Sequence, residues 1–144
     1  MKHLSLAVTG MLLLLTISAS TQNSTASLDD ASAVRSTVTN YIEAYYTGDA
    51  HRMQQSLHPH YLKHVIHETI PMREKTGDEM VREVRSNGPA DLPLADKTEQ
   101  VTVLDVAGDI ASAKLVTPGW FDYMTLSKLN GEWKILSVVQ RIDK

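Results

Sequence analysis

Asp122 is the residue whose position asks most of its surroundings. It lies in the run Trp120-Phe121-Asp122-Tyr123-Met124, where side chains two apart share a face. A carboxylate on the inner face of a sheet needs a partner, or it takes up a proton. Two roles follow. Arg141, diagonal to it in the hairpin expected there, makes it half of a structural ion pair. Facing a cleft instead, it is an acid or hydrogen-bond acceptor for a ligand. Four histidines, His58, His60, His64 and His67, crowd one stretch beside Glu68. The spacing of His60, His64 and His67 would suit a metal on a helix. Pro59 breaks that segment and no second cluster adds ligands, so no metal site and no cofactor are expected. His64 is a candidate general base beside Asp122. Lys63 is expected at the surface or in an ion pair. Tyr41 and Tyr45, four residues apart, share one helix face and are expected as core with hydroxyls at the rim. With no cysteine in the chain there is no disulfide, thiolate metal site or cysteine nucleophile. A Gly-x-Ser-x-Gly elbow and a glycine-rich phosphate loop are also missing.

The elements that must hold these residues are legible in outline. Ser27-Leu28-Asp29-Asp30 has the form of a helix cap, and Val34, Val38, Tyr41 and Tyr45 recur on one helical face. Gly48 suits the position just past that helix. Asp49 caps a second helix carrying Met53 and Leu57, which Pro59 ends. The stretch from His60 to Ile70 fits neither period and reads as a turn with a short strand or irregular segment. Thr76-Gly77-Asp78-Glu79 is a capping box for a third helix, closed by Asn87-Gly88-Pro89. From Lys97 the period changes to two. Four β segments follow: 98–106, 110–117, 120–129 and 132–142. Helices first and a strand meander after them predict an α+β fold, with helices on one face of an antiparallel sheet.

Asn130-Gly131 is a strong hairpin signal. A two-residue turn there pairs Leu129 with Glu132, Leu126 with Ile135, Met124 with Ser137 and Asp122 with Val139. Trp120, Asp122, Trp133 and Arg141 then share the inner face, while Phe121, Tyr123, Leu136 and Val138 share the outer one. A similar turn at Pro118-Gly119 sets Ala111 against Leu126 and Ala113 against Met124. Two alanines opposite large residues predict a hollow for a ligand.

The chain has 144 residues, 42% hydrophobic, and a net charge of −3. That size fits one domain. The charge gives no reason to bind nucleic acid or an anionic membrane. Residues 1–20 have the plan of a secretory signal: Lys2, an apolar run from Leu4 to Ile17, then Ser18-Ala19-Ser20. The run would span roughly 21 Å as a helix, short of a bilayer core of roughly 30 Å. A flexible leader over 21–28 and a domain over 29–144 follow. The protein is expected in the periplasm or outside the cell, off the membrane once the signal is cleaved.

The segments Gly119 to Leu126 and Leu129-Asn130-Gly131-Glu132-Trp133-Lys134-Ile135 resemble the family known as Putative lumazine-binding. Tyr41 to Asp49 and Leu57-His58-Pro59 through Lys63 fit the same pattern. That family belongs to the nuclear transport factor 2-like superfamily, with ketosteroid isomerase, scytalone dehydratase and SnoaL-like cyclases. The resemblance implies a cystatin-like cone: a strongly curved antiparallel sheet wrapped around a long N-terminal helix, with two shorter helices and a pocket at the open end. It also implies a homodimer packed through the outer sheet face. The leading expectation is an exported, non-catalytic domain for a small apolar or planar ligand held by Tyr41, Tyr45, His64, Trp120 and Asp122. The alternatives are a cofactor-free dehydratase, isomerase or cyclase using Asp122 or His64 as base, with a tyrosine as oxyanion donor as the resemblance implies, and a dimeric interaction module with no ligand.

Overall fold

The computed structural model describes residues 18–142, with side-chain environments from Leu28 onward. The apolar run of the expected signal lies outside the described residues. Helix α1 (Ser18–Thr47) is followed by α2 (Ala50–Ser56), β1 (Leu57–Ile66), β2 (Arg73–Thr76) and α3 (Gly77–Asn87). After a short 3-10 turn come β3 (Gln100–Ala107), β4 (Ile110–Val116), β5 (Trp120–Leu129) and β6 (Glu132–Ile142). The fold is α+β, as expected, in the form of an open cone.

Six strands form one sheet in the order β2-β1-β6-β5-β4-β3. Its neighbours are antiparallel except β1 and β6, which run parallel. The sheet is therefore mixed, where a purely antiparallel one was expected. The connection between that parallel pair carries β2, α3, β3, β4 and β5. Helix α1 packs on α2, β3, β4 and β6. It buries Val34, Val38, Tyr41, Ile42 and Ala44 against Leu115, Leu126, Ile135 and Val138. These apolar positions recur every three or four residues, which keeps one face of the helix on the sheet.

Several boundaries differ from expectation. Helix α1 begins before the Ser27 cap, at Ser18, because no glycine or proline interrupts the preceding residues. The second helix stops at Ser56, and Leu57 starts β1. Pro59 lies inside β1, in an irregularity between Leu57 and Leu62 where the ladder to β6 shifts register. Proline is tolerated there because a bulge has no ladder bond to lose. Strand β2, four residues long and mostly charged, carries no apolar alternation by which it could be recognised. The capping box of α3 is present: Thr76 and Glu79 exchange side-chain and backbone hydrogen bonds.

Gly48 has φ of +74°, and a Cβ there would lie 2.4 Å from the carbonyl carbon of Gly88. Only glycine fits. That close approach brings the loop after α3 onto the end of α1, where the Ala90 N–H donates to the Tyr46 carbonyl at 3.2 Å.

The β5–β6 hairpin holds the most consequential difference. Near the turn the register is as expected, Leu129 with Glu132 and Leu126 with Ile135. Leu136 is then an extra residue, so Thr125 pairs with Ser137, Met124 with Val138 and Asp122 with Gln140. A bulge of one residue turns every later side chain to the other face. Val138 is buried and Val139 is exposed, the reverse of the expected arrangement. Arg141 pairs with outer-face Phe121 and so cannot neutralise Asp122 from inside. The β4–β5 register matches expectation, with Ala111 opposite Leu126 and Ala113 opposite Met124. No hollow forms there: both alanines lie fully within the packed core, filled by Met124, Leu126 and α1.

Candidate functional site

The cavity lies elsewhere, toward the ends of β1, β5 and β6, between α1 and α3. Its volume is about 410 Å³, within the ordinary range for small-molecule sites. Tyr41 and Tyr45 reach it from α1, Lys63 from β1, Met80 and Val84 from α3, Trp120 from β5 and Gln140 from β6. The helical spacing of Tyr41 and Tyr45 brings both to it. Tyr41 is buried, whereas Tyr45 is 36% exposed and stands at the rim. The edge of one ring of the Tyr45–Trp120 pair meets the face of the other, with centroids 5.7 Å apart. This geometry is favourable for aromatic quadrupoles and presents a flat apolar edge. Lys75 and Glu83 bridge β2 and α3 at 2.6 Å beside the same cavity.

The polar floor centres on Lys63. It is 5% exposed, and its Nζ donates to the Tyr41 hydroxyl at 3.0 Å. The alternation Tyr61, Lys63, Val65 points all three inward. Sequence reasoning put Lys63 at the surface or in an ion pair and missed its inward aim because the faces of β1 went unassigned. The signal was the period of two running through residues 61–65. The ion-pair half of that expectation fits the structure: Lys63 Nζ lies 3.9 Å from Asp122 Oδ2. Burial lowers the Lys63 pKa, against the pull of Asp122. Burial also raises the Asp122 pKa, with Lys63 and cross-strand Gln140 acting against it. Both groups are thus pushed toward their neutral forms, as desolvation requires. The Tyr41 hydroxyl is held well above its usual range by burial and by its neighbours Tyr61 and Asp122.

Asp122 points inward, as its strand position predicted, but it does not line the cavity. It has no exposed surface, and it sits behind Lys63 with no hydrogen-bond partner on either oxygen. His64 is not brought to the site at all. It occupies the opposite face of β1 from Lys63, where its Nε2 lies 3.0 Å from Glu74 of β2. Of the expected ligand-contacting set, the structure assembles Tyr41, Tyr45 and Trp120. It places Asp122 one layer behind and His64 outside. His58 and His60 pack ring against ring at 5.5 Å. Among the described residues, no three of His, Asp or Glu converge closely enough to hold a metal ion.

Residues 29–140 match the family described as Putative lumazine-binding. Solved structures share the fold. A nuclear transport factor 2-like protein of unknown function from Methylobacillus flagellatus is 21% identical with a TM-score of 0.66, over 82% of this chain and 95% of that one. A similar protein from Silicibacter pomeroyi is 19% identical with a TM-score of 0.63, over 86% and 99%. Another from Novosphingobium aromaticivorans, with a cystatin-like fold, is 13% identical with a TM-score of 0.62, over 88% and 90%. At such identities the likeness shows the fold alone. A comparison with curated proteins found no match. The family match spans nearly all of the described domain, and the strands and helices it covers are those that build the cavity, in a fold shared with nuclear transport factor 2-like proteins: the chain belongs to the Putative lumazine-binding family.

Proposed function

We propose that this protein is an exported binding domain that holds a small, partly planar organic molecule in the cone without turning it over. The observation that carries this reading is the cavity itself: an aromatic rim of Tyr45 and Trp120 over apolar walls, with Lys63, Tyr41 and Gln140 at its floor. A few polar groups in an apolar hollow fix a ligand's orientation. The general-base alternative needs Asp122 or His64 at the ligand, and neither lines the cavity. The family's description favours a small ligand. A thermal-melt panel of pterin, flavin and steroid-like compounds tests the reading. A true ligand at 100 times its Kd adds about 2.7 kcal/mol of stability. It should also change the fluorescence of Trp120. A panel that moves neither melt nor fluorescence defeats it.

Export rests on the three-part plan of residues 1–20. Fractionation with the intact mass of the recovered protein tests it, and a full-length chain in the cytosol defeats it. Among the described residues, no helix is long and apolar enough to cross a membrane.

A homodimer is favoured by one further observation. The outer sheet face exposes Val116, Tyr123 and Val139, with Phe121 meeting Tyr123 edge to face at 6.0 Å. Contiguous apolar patches of this kind mark association surfaces. Val138, expected on this face, does not form it, because it is in the core. Tyr123→Asp should convert a dimer to a monomer in light scattering, and a wild-type monomer at high concentration refutes the idea.

A further inference from the structure

A binding cavity does not require an amine in its wall, and burying one is costly. Lys63 has three donors when protonated, yet among the described residues it makes one hydrogen bond, to Tyr41. Asp122, at 3.9 Å, is beyond hydrogen-bond reach. A purely structural ion pair would close to contact, because contact is what offsets desolvation. Here neither carboxylate oxygen has a donor at hydrogen-bond distance, with Gln140 facing Asp122 across the strand pair, while Lys63 lines the cavity and its amine donates to a hydroxyl. An amine and a proton-relaying hydroxyl thus line one end of a small-molecule cavity, with a proton acceptor one layer behind the amine.

We propose that Lys63 is a nucleophile that captures carbonyl compounds in the cavity as a reversible imine. This rests on the cavity being a small-molecule site, and it names the ligand class: an aldehyde or ketone with a flat apolar body. Amine nucleophiles of this type are activated by desolvation, and burial lowers the proton affinity of Lys63. In the first step one proton passes from the Lys63 ammonium to the Asp122 carboxylate, freeing the lone pair on Nζ. The lone pair forms a bond to the carbonyl carbon as the C=O π pair moves onto oxygen. The Tyr41 hydroxyl gives that oxygen a proton and regains one from the nitrogen, leaving a neutral carbinolamine. The C–O bond then breaks. The Asp122 proton returns to the nitrogen it faces and passes on through the Tyr41 hydroxyl to the departing oxygen, which leaves as water, and the freed nitrogen lone pair forms the C=N bond. The products are water and an iminium cation beside the Asp122 carboxylate. No oxidant or reductant is consumed, and added water reverses the sequence.

The charged and titratable groups facing Lys63 are Asp122 from β5, Tyr41 from α1, Lys75 from β2 and Glu83 from α3. Asp122 acts through the amine, so its test is a pH profile. The full chain is incubated with benzaldehyde and sodium cyanoborohydride near neutral pH, then digested and mapped by mass. The expected result is a benzyl group on Lys63, added at least about tenfold faster than on the other lysines. Lys63→Arg keeps the charge and should abolish this labelling, and Lys63→Met should do the same. Melts of both variants check that they fold. Asp122→Asn should displace the pH profile of labelling toward acid, because the carboxylate no longer favours the ammonium. Labelling that follows solvent exposure, with Lys63 among the slowest, overturns the proposal, as does an unmoved profile in Asp122→Asn. Benzyl alcohol, of the same shape without the carbonyl, separates the two readings. If it raises the melt while Lys63 stays unlabelled, the cavity binds and the imine is refuted. If neither occurs, both readings fall.

Discussion

Strand β5 carries an aspartate–lysine–tryptophan group near each end, and the two groups are finished differently. Near the hairpin turn, Asp30 of α1 accepts from Lys128 Nζ at 2.6 Å and from Trp133 Nε1 at 3.0 Å. Lys128 also lies over the Trp133 ring, 5.1 Å from its centroid. One Asp30 oxygen accepts both bonds, and the group pins the first half of α1 to the sheet. At the other end, Asp122 and Lys63 stand 3.9 Å apart, with Trp120 at the rim of a cavity. The first group has one buried aromatic and a half-exposed ion pair, so solvent shares the cost of the charges. The second is sealed from solvent on the carboxylate side, so the full desolvation cost remains. A fold that can satisfy one such group and leaves the other open has put its electrostatic strain where a ligand goes.

That contrast can be broken at several points. The largest effect is expected from Lys63→Met, which leaves a buried carboxylate without its counter-charge. It should cost about 3 kcal/mol near neutral pH in urea unfolding. Lys128→Met, at the exposed pair, should cost less than about 1 kcal/mol. Equal losses would show that the two pairs are alike. Next, Trp120→Ala should weaken any cavity ligand by about tenfold through lost aromatic contact, read by titration calorimetry, while the melt stays close to wild type. Trp133→Phe should do the opposite. It should lower stability by about 1 kcal/mol through the lost bond to Asp30 and leave ligand affinity unchanged.

The smallest effects are in pH dependence, and they have opposite signs. Hydrogen bonds from Lys128 and Trp133 lower the Asp30 pKa below its ordinary 3.8. The folded protein then releases the proton more readily, so this contribution is present above pH 3.8 and is lost as pH falls through the folded value. Burial raises the Asp122 pKa above 3.8. The folded protein holds that proton more tightly, so stability from this group falls as pH rises from 3.8 toward the folded value. Urea melts between about pH 3 and pH 7 should show Asp30→Asn removing a rising contribution and Asp122→Asn removing a falling one. Two slopes of the same sign would erase the distinction between the two ends.

How much of this could be read from residue order depends on how local each signal is. The Asn130-Gly131 turn, the Thr76 capping box and the Tyr41/Tyr45 spacing are decided within a few residues, and all three stand as read. The bulge at Leu136 is not decided locally. Residues 132–142 alternate well enough in either register, and only packing on α1 selects Val138 over Val139 for the core. That one residue removed Arg141 from the inside and put Gln140 opposite Asp122. The misplacement of His64 has a similar origin. A stretch interrupted by Pro59 showed no clear period, so the faces of β1 went unassigned and His64 was judged by its chemistry alone.

The amino-acid sequence by itself determined the class of fold, the family, the hairpin turns and the inward aim of Asp122, because periodicity, caps and turn residues act over short distances. Only the tertiary structure decided that Asp122 faces Lys63 and lies behind the cavity wall. That pairing joins strands on either side of β6, one of them entered through an irregular proline-containing segment, and its register is set by which side chains fill the space under α1.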